Sequence, residues 1–153
     1  MWYLSCTEWL GVNGIMEPKY HMKFAEYHDG INWIRDGTIA IDYKNPEEGW
    51  IVRAAIIKDS KQSYRMWFSC RWVSDYRVHS SSSYKIGYAK SLTGISWIRD
   101  GLRSGISISD SGWDSFMIAY QNILQFQDMA LMFYNWNGFG VSGFGYALSS
   151  LQT

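Results

Sequence analysis

The sequence predicts an all-β fold made of repeated units of short antiparallel strands, and three observations support this prediction. The eight residues GINWIRDG at 30–37 return as GISWIRDG at 94–101, 64 positions later. Aromatic residues make up 18% of the 153-residue chain. Apolar and polar residues alternate with a period of two in segments such as YKIGYAK at 84–90. Aromatic content and period-two alternation both favour strands over helices.

The repeat extends beyond these eight residues in both directions. YHMKFAEYHDG at 20–30 matches YKIGYAKSLTG at 84–94, and MWYLSC at 1–6 matches RMWFSC at 65–70, which aligns Cys6 with Cys70. Internal similarity at a fixed period is typical of repeat architectures.

A third, weaker copy completes the pattern. EEGW at 47–50 corresponds to DSGW at 110–113. Earlier strands are also resembled by MALMFYNWNG at 129–138 and GFGYALSS at 143–150. We therefore interpret the chain, 1–153, as a single domain of three repeats at about 1–46, 47–109 and 110–153.

The central repeat contains four predicted strands, labelled A to D in chain order. Alternation places Tyr84, Ile86 and Tyr88 on one strand face. Gly30 and Gly94 stand where a tight turn requires positive φ before the next strand begins. A unit of four short antiparallel strands, repeated with aromatic and glycine positions, indicates a β-propeller blade. The four strands are predicted at 51–58, 64–70, 84–91 and 96–100.

The number of predicted strands is too small for a closed propeller. The first repeat lacks strand A and the last lacks strand D, which leaves three, four and three strands. An open arc exposes edge strands and apolar faces, which natural proteins cover or pair. The predicted fold is therefore a partial β-propeller completed by oligomerisation, with a homodimer favoured. A fragment of a larger propeller protein is the competing interpretation.

Charge and composition exclude several classes of partner. Fourteen basic residues balance fourteen acidic ones, so neither nucleic acid nor an anionic membrane is an expected partner. The start of the sequence has no leader-like pattern, and a cytoplasmic protein without a cofactor is predicted. The two cysteines are expected to be buried free thiols. The three histidines lack metal-ligand spacing, so no metal site is predicted.

Three runs of sequence resemble a known group of proteins. YKIGYAKSLTGISWIRDG, YRMWFSC and GWDSFMIAYQNIL are similar to the blade repeats of the five-bladed propeller glycosidases, the arabinanase, xylosidase and invertase group, and of uncharacterised bacterial relatives. The resemblance covers nearly the whole chain. It implies carboxylates on the innermost strands around a central funnel, because glycoside hydrolysis needs one group to donate a proton and another to activate water or attack the sugar.

This chain departs from that pattern. Its predicted innermost strands, IVRAAIIK at 51–58 and MIAYQNILQF at 117–126, contain neither Asp nor Glu. Arg53 falls where the family's Arg-Pro step begins, whereas Tyr120 and Gln121 stand in the next copy. The nearest carboxylates lie on the approaches to the inner strands and face either the funnel mouth or water. These candidate catalytic residues are Glu47, Glu48, Asp110 and Asp114.

Carbohydrate or small-ligand binding without catalysis is therefore the first functional hypothesis. A funnel lined by aromatic rings and hydrogen-bonding groups suits a sugar. The alternative interpretations are packing between blades for the two tryptophans, a structural ion pair for Arg53, and hydrogen-bonding plugs for Gln121 and Asn122. The candidate ligand-binding residues are Arg53, Tyr120, Gln121, Asn122, Trp50 and Trp113.

Two other functions stay open, and two turn motifs receive structural interpretations. A glycoside hydrolase with a site shared between chains is one alternative, and a protein-interaction scaffold is the other. Asp29, in the HDG turn, is expected to shape that turn. Each RDG is interpreted as a turn at a blade rim in which Arg35 and Asp36, or Arg99 and Asp100, form exposed pairs that contribute little stability.

Overall fold

The fold is all-β. The computed structural model describes residues 1–59 and 63–150, so the last three residues of the predicted third repeat lie outside the described residues. Two short 3-10 helices, Gly101–Arg103 and Asn137–Gly140, accompany the strands, and no helix in these ranges is long and apolar enough to cross a membrane. The strands are β1 (Trp2–Val12), β2 (Ile15–Phe24), β3 (Glu26–Tyr27), β4 (Trp33–Ile34), β5 (Ile39–Ile41), β6 (Glu48–Lys58), β7 (Tyr64–Trp72), β8 (Lys85–Ser91), β9 (Ile98–Arg99), β10 (Ala119–Phe126), β11 (Met129–Asn135) and β12 (Phe144–Ser150).

The central repeat is a four-stranded antiparallel blade, as predicted. Strands β6, β7, β8 and β9 pair in chain order, each antiparallel to the next. Strand β6 begins at Glu48, three residues before the predicted start, because Glu48 still pairs with Trp72 of β7. Strand β9 is shorter than predicted and contains two residues.

The strands on either side of the central repeat form smaller antiparallel groups. Strands β10, β11 and β12 make a three-stranded antiparallel sheet. In the first repeat β1 and β2 form a long antiparallel hairpin, and β5, which was not predicted, also pairs with β2. One parallel pair, Tyr20 with Trp50, joins β2 to β6, so the first and central repeats share one seven-stranded sheet.

The hydrophobic core lies between the repeats, and strand β7 contributes to it from both faces. Its even-numbered residues Met66 and Phe68 pack with Met22, Ile41 and Ile51 toward the first repeat. Its odd-numbered residue Trp67 packs toward the third repeat, with Ile86, Tyr88, Ile118, Met132 and Tyr134. Successive side chains of a strand point to opposite faces. Tyr84, Ile86 and Tyr88, which alternation placed on one face, are all buried.

The prediction of two buried thiols was wrong for Cys6. Cys6 is exposed and Cys70 is half-buried, and both are free. Trp2 pairs with Phe24, whereas Trp67 pairs with Tyr88, so β1 is displaced by one residue relative to the alignment of the repeats. Because a one-residue slip moves every side chain to the other face of a strand, Cys6 and Cys70 do not occupy equivalent positions.

Candidate functional site

The two inner strands, β6 and β10, carry the same local irregularity. The pairing register of β6 shifts between Val52 and Ala55. The register of β10 shifts between Ala119 and Asn122. These shifts are β-bulges, which re-aim a side chain and are common beside active and binding sites.

The bulged residues Arg53 and Tyr120, which we call the bulge pair, have a left-handed backbone. Their φ angles are 57° for Arg53 and 55° for Tyr120. This conformation costs a non-glycine residue roughly 1–2 kcal/mol. Arg53 is exposed and Tyr120 is half-buried. Both side chains are therefore positioned by a strained backbone that recurs at corresponding places in adjacent repeats.

Gln121 connects the two bulges. Its side chain is 1% exposed, and its Nε2 donates to the carbonyl oxygens of Arg53 at 2.5 Å and Trp67 at 2.7 Å. Its Oε1 accepts from the Ser69 hydroxyl at 2.7 Å, and that hydroxyl oxygen accepts the Tyr120 N–H at 2.8 Å. The buried amide thus holds the backbone of the bulge pair, whereas the neighbouring Asn122 is exposed.

Aromatic rings surround Tyr84 next to the bulge pair. The Tyr120 ring lies 5.5 Å from the Tyr84 ring between centroids, and the two phenol oxygens are 3.5 Å apart. Phe139 lies 5.8 Å from Tyr84 and 6.4 Å from Tyr120. Burial raises the pKa of Tyr84, so it remains a neutral phenol. Phe139 is exposed, which leaves an accessible aromatic surface beside the half-buried Tyr120.

Trp50 lies on the other side of Tyr84 and contacts a buried cation. The Arg71 guanidinium lies 3.6 Å from the Trp50 ring centroid and 3.4 Å from that of Tyr76. The Trp50 indole N–H donates to the carbonyl oxygen of Pro18. Trp50 is therefore anchored on both its ring face and its N–H.

The same cation forms an ion pair with Glu17, which the sequence analysis did not identify. Arg71 donates to Glu17 at 3.1 Å, Arg77 donates at 2.9 Å and the Tyr76 hydroxyl donates at 3.0 Å. Burial acts to raise the pKa of Glu17, but the bonds from Arg77 and Tyr76 and the charge of Arg71 outweigh it and lower that pKa. Alternation along β2 groups Glu17 with Lys19 and His21 on a polar face, so no local pattern in the sequence indicated that Glu17 is buried.

The four candidate catalytic carboxylates occupy different environments. Glu47 and Asp110 are exposed, whereas Asp114 and Glu48 are buried. Both oxygens of Glu48 accept from Arg99, at 2.6 Å and 2.8 Å, and one also accepts the Lys44 N–H at 2.7 Å. The prediction of an exposed, weak pair for Arg99 was therefore wrong, because Arg99 reaches across the blade to a buried carboxylate.

Trp113 lies in the segment before β10 and is 50% exposed. Its ring is nearly parallel to that of Tyr134, with centroids 6.1 Å apart, and its centroid is 4.4 Å from that of Trp136. It also covers Gly145 of β12, where an added Cβ would approach the Trp113 ring to 2.9 Å. One face of the indole thus packs within the third repeat.

Within residues 1–59 and 63–150, no group of three or more His, Cys, Asp or Glu side chains is arranged to hold a metal ion.

Sequence comparison finds uncharacterised bacterial relatives. No family model matches the chain. Two uncharacterized proteins of Mycobacterium tuberculosis, from strains CDC 1551 and H37Rv, are each 30% identical over 148 residues, which is 97% of this chain. The chain spans 46% of the length of these relatives, about half.

Structural comparison finds glycoside hydrolases. A protein described as a glycoside hydrolase superposes on 99% of this chain and 40% of its own length, with a TM-score of 0.56 and 14% identity. Zg3597, a family 117 glycoside hydrolase of the marine bacterium Zobellia galactanivorans, covers 72% of this chain and 37% of its own, with a TM-score of 0.51 and 15% identity. The protein in a BT0996 RGII complex covers 99% of this chain and 40% of its own, with a TM-score of 0.55 and 14% identity. This chain therefore has a glycosidase-like, propeller-like all-β fold.

Proposed function

We propose that this chain binds carbohydrate without cleaving it, at a surface formed by Arg53, Tyr120, Asn122 and Phe139. The observation that carries the proposal is the bulge pair. Two non-glycine residues at corresponding positions of adjacent inner strands both adopt positive φ. Strain of this kind persists where the surrounding structure enforces it, and it is concentrated at functional sites.

The chemistry of this surface suits a sugar. Tyr120 and Phe139 provide aromatic carbon against which the apolar face of a sugar ring packs. Arg53 and Asn122 are exposed and provide donors and an acceptor for hydroxyl groups. A few polar groups beside an aromatic surface are typical of small-molecule sites.

The carboxylates support binding rather than hydrolysis. Hydrolysis of a glycosidic bond requires one carboxyl group that donates a proton and a second that acts as base or nucleophile. Glu48 and Glu17 both accept hydrogen bonds from guanidinium groups, so the oxygens of both carboxyl groups already have partners. Neither residue of the bulge pair is a carboxylate.

Screening a panel of neutral oligosaccharides tests the proposal. The shift in melting temperature identifies a ligand, and calorimetry then measures its affinity. We expect at least one saccharide to raise the melting temperature, and Tyr120→Ala to weaken its binding about tenfold through lost stacking. Tyr120→Phe keeps the ring and should retain most of the affinity. Tyr27→Ala removes an exposed aromatic ring from β3, outside both proposed surfaces, and serves as the matched control. The proposal fails if no saccharide binds or if Tyr120→Ala binds as well as the unmodified chain.

We further propose that a second copy of the chain covers the apolar faces at the two ends of the arc. Phe144, Tyr146 and Leu148 on β12 are exposed, as are Leu4 and Trp9 on β1. In the described part of the chain, β12 pairs only with β11 and β1 only with β2. Light scattering should give twice the chain mass of 17.8 kDa. A monomer at all concentrations, or a complex with a different protein, would contradict this proposal.

A further inference from the structure

A cavity lies on the central blade, apart from the bulge pair. Its volume is about 570 Å³, and it is bounded by the end of β7, the start of β8, Arg99 of β9 and the segment before β6. We call it the Lys85 cavity. Its size is within the range of small-molecule sites. The polar residues of its lining that matter here are Lys44, Glu48, Arg71, Ser83, Lys85 and Arg99.

The lining carries an excess of positive charge. Lys44, Lys85 and Arg99 line the cavity together with a single carboxylate, that of Glu48. Arg71 also borders it, but its guanidinium packs on Trp50 and Tyr76 and pairs with Glu17. Arg99 and the Lys44 N–H already use both oxygens of that carboxylate. Cationic side chains that face a concave surface attract an anion and bind it through charge-assisted hydrogen bonds.

One buried polar atom of the lining lacks a partner. Ser83 is 2% exposed, and its hydroxyl has no hydrogen-bond partner among the described residues. Buried polar groups are nearly always paired, so an unpaired hydroxyl in a cavity wall indicates a missing ligand group. A hydroxyl can donate to an anionic oxygen.

The wall provides no second negative charge that would oppose an anion. Cys70 lines the cavity, and burial, with a smaller contribution from the charge of Glu48, raises the pKa of its thiol to about 12. The thiol is therefore neutral at physiological pH. Trp72 is exposed in the same lining and offers an aromatic face beside the cations.

We propose that the Lys85 cavity binds the carboxylate of a uronic acid, with Lys85 and Ser83 as donors and Trp72 against the sugar ring. The volume exceeds that of a lone oxyanion, and the aromatic face suits a ring that bears the charge. This inference rests on the proposed function for the sugar character of the ligand, but it uses residues separate from the bulge pair.

Calorimetric titration with D-glucuronate, with glucose and acetate as comparison ligands, tests the proposal. We expect glucuronate to bind at least about tenfold more tightly than either, because only glucuronate combines the ring with the charge. Lys85→Gln and Ser83→Ala should each weaken glucuronate binding about fivefold to tenfold. The matched control is Lys58→Gln, which removes an exposed lysine that does not line this cavity. Ser83→Ala should fold at least as well as the unmodified chain, because it deletes an unpaired buried hydroxyl.

The outcomes separate this inference from the proposed function. Glucuronate binding that survives Tyr120→Ala but weakens in Lys85→Gln supports the cavity, whatever happens with neutral saccharides. Equal affinity for glucose, equal affinity for acetate, or unchanged affinity in Lys85→Gln would overturn the uronate site. If the uronate site fails in this way but the binding of neutral saccharides still depends on Tyr120, the proposed function stands.

Discussion

The two copies of the eight-residue repeat begin with the same turn and strand pairing but have different surroundings. Gly30 and Gly94 both have φ of 78°. The pair Glu26 with Ile34 in the first copy matches Lys90 with Ile98 in the second. At the final glycine of the motif the two backbones diverge: Gly37 has φ of 91° and lies before β5, whereas Gly101 begins a 3-10 helix. A repeated sequence thus specifies a turn, but the neighbouring repeat determines what its side chains contact.

The largest difference between the copies should appear at the arginines. Arg99 pairs with the buried Glu48, whereas Arg35 is exposed. Arg99→Ala should lower the free energy of unfolding by about 4 kcal/mol, because it leaves a buried carboxylate unpaired. Arg35→Ala should change it by less than about 0.5 kcal/mol. Urea denaturation measures both, and adding Glu48→Gln to Arg99→Ala should recover part of the loss. Equal effects of the two arginines would show that the copies are energetically alike.

The two tryptophans of the repeat, Trp33 and Trp97, should differ less than the arginines do in their contribution to the free energy of unfolding. Trp97 lies 6.0 Å from Trp2 and 6.4 Å from Tyr64 between ring centroids, and its indole N–H donates to the Gly94 carbonyl oxygen at 3.0 Å. Trp33 is exposed. Among the aromatic rings of the described residues, it packs only against that of Tyr27. Trp97→Ala should cost about 3 kcal/mol and Trp33→Ala about 1 kcal/mol. If thermal unfolding gives the reverse order, the assignment of Trp97 to the core is wrong.

The smallest difference between the two copies is in the response of their turns to pH. The Asp29 carboxylate accepts the N–H groups of Asn32 and Ile31, and these bonds, with that of Asn32 first, lower the pKa of Asp29 to about 2. Thr93 takes this position in the second copy and bonds the Ile95 N–H at 3.1 Å without titrating. Because the folded-state pKa is lowered, the contribution of Asp29 is present above the ordinary carboxyl pKa and is lost as pH falls through about 2. NMR titration should show the Ile31 amide shifting near pH 2 and the Ile95 amide unchanged, whereas an Asp29 pKa near 4 would contradict the turn geometry.

Local sequence features predicted the parts of the fold that depend on local chemistry. The central blade, the glycine turns and the shared face of Tyr84, Ile86 and Tyr88 follow from alternation and positive φ, which act over a few residues. The displaced register of β1 depends on long-range packing, because the Trp2 indole donates to the carbonyl oxygen of Gly94, 92 positions away. For that reason the alignment of Cys6 with Cys70 led to the wrong prediction that Cys6 is buried.

The candidate site was predictable in residue type and less so in geometry. The sequence placed Arg53 and Tyr120 at matching positions, but it did not indicate their bulges or the role of Gln121 in joining them. The ion pairs of Glu17 with Arg71 and of Glu48 with Arg99 connect residues 54 and 51 positions apart. No spacing within a strand reports such pairs, because the packing of the repeats brings the partners together.

A double-mutant cycle on the bulge pair tests the proposed function most directly. The affinity for the best neutral saccharide should be measured for the unmodified chain, for Arg53→Ala, for Tyr120→Ala and for the double variant. If both side chains contact one ligand, the double variant should lose less than the product of the single losses, with a coupling of about 1 kcal/mol. Losses that multiply, or a single variant with unchanged affinity, would show that the two bulges do not form a shared site.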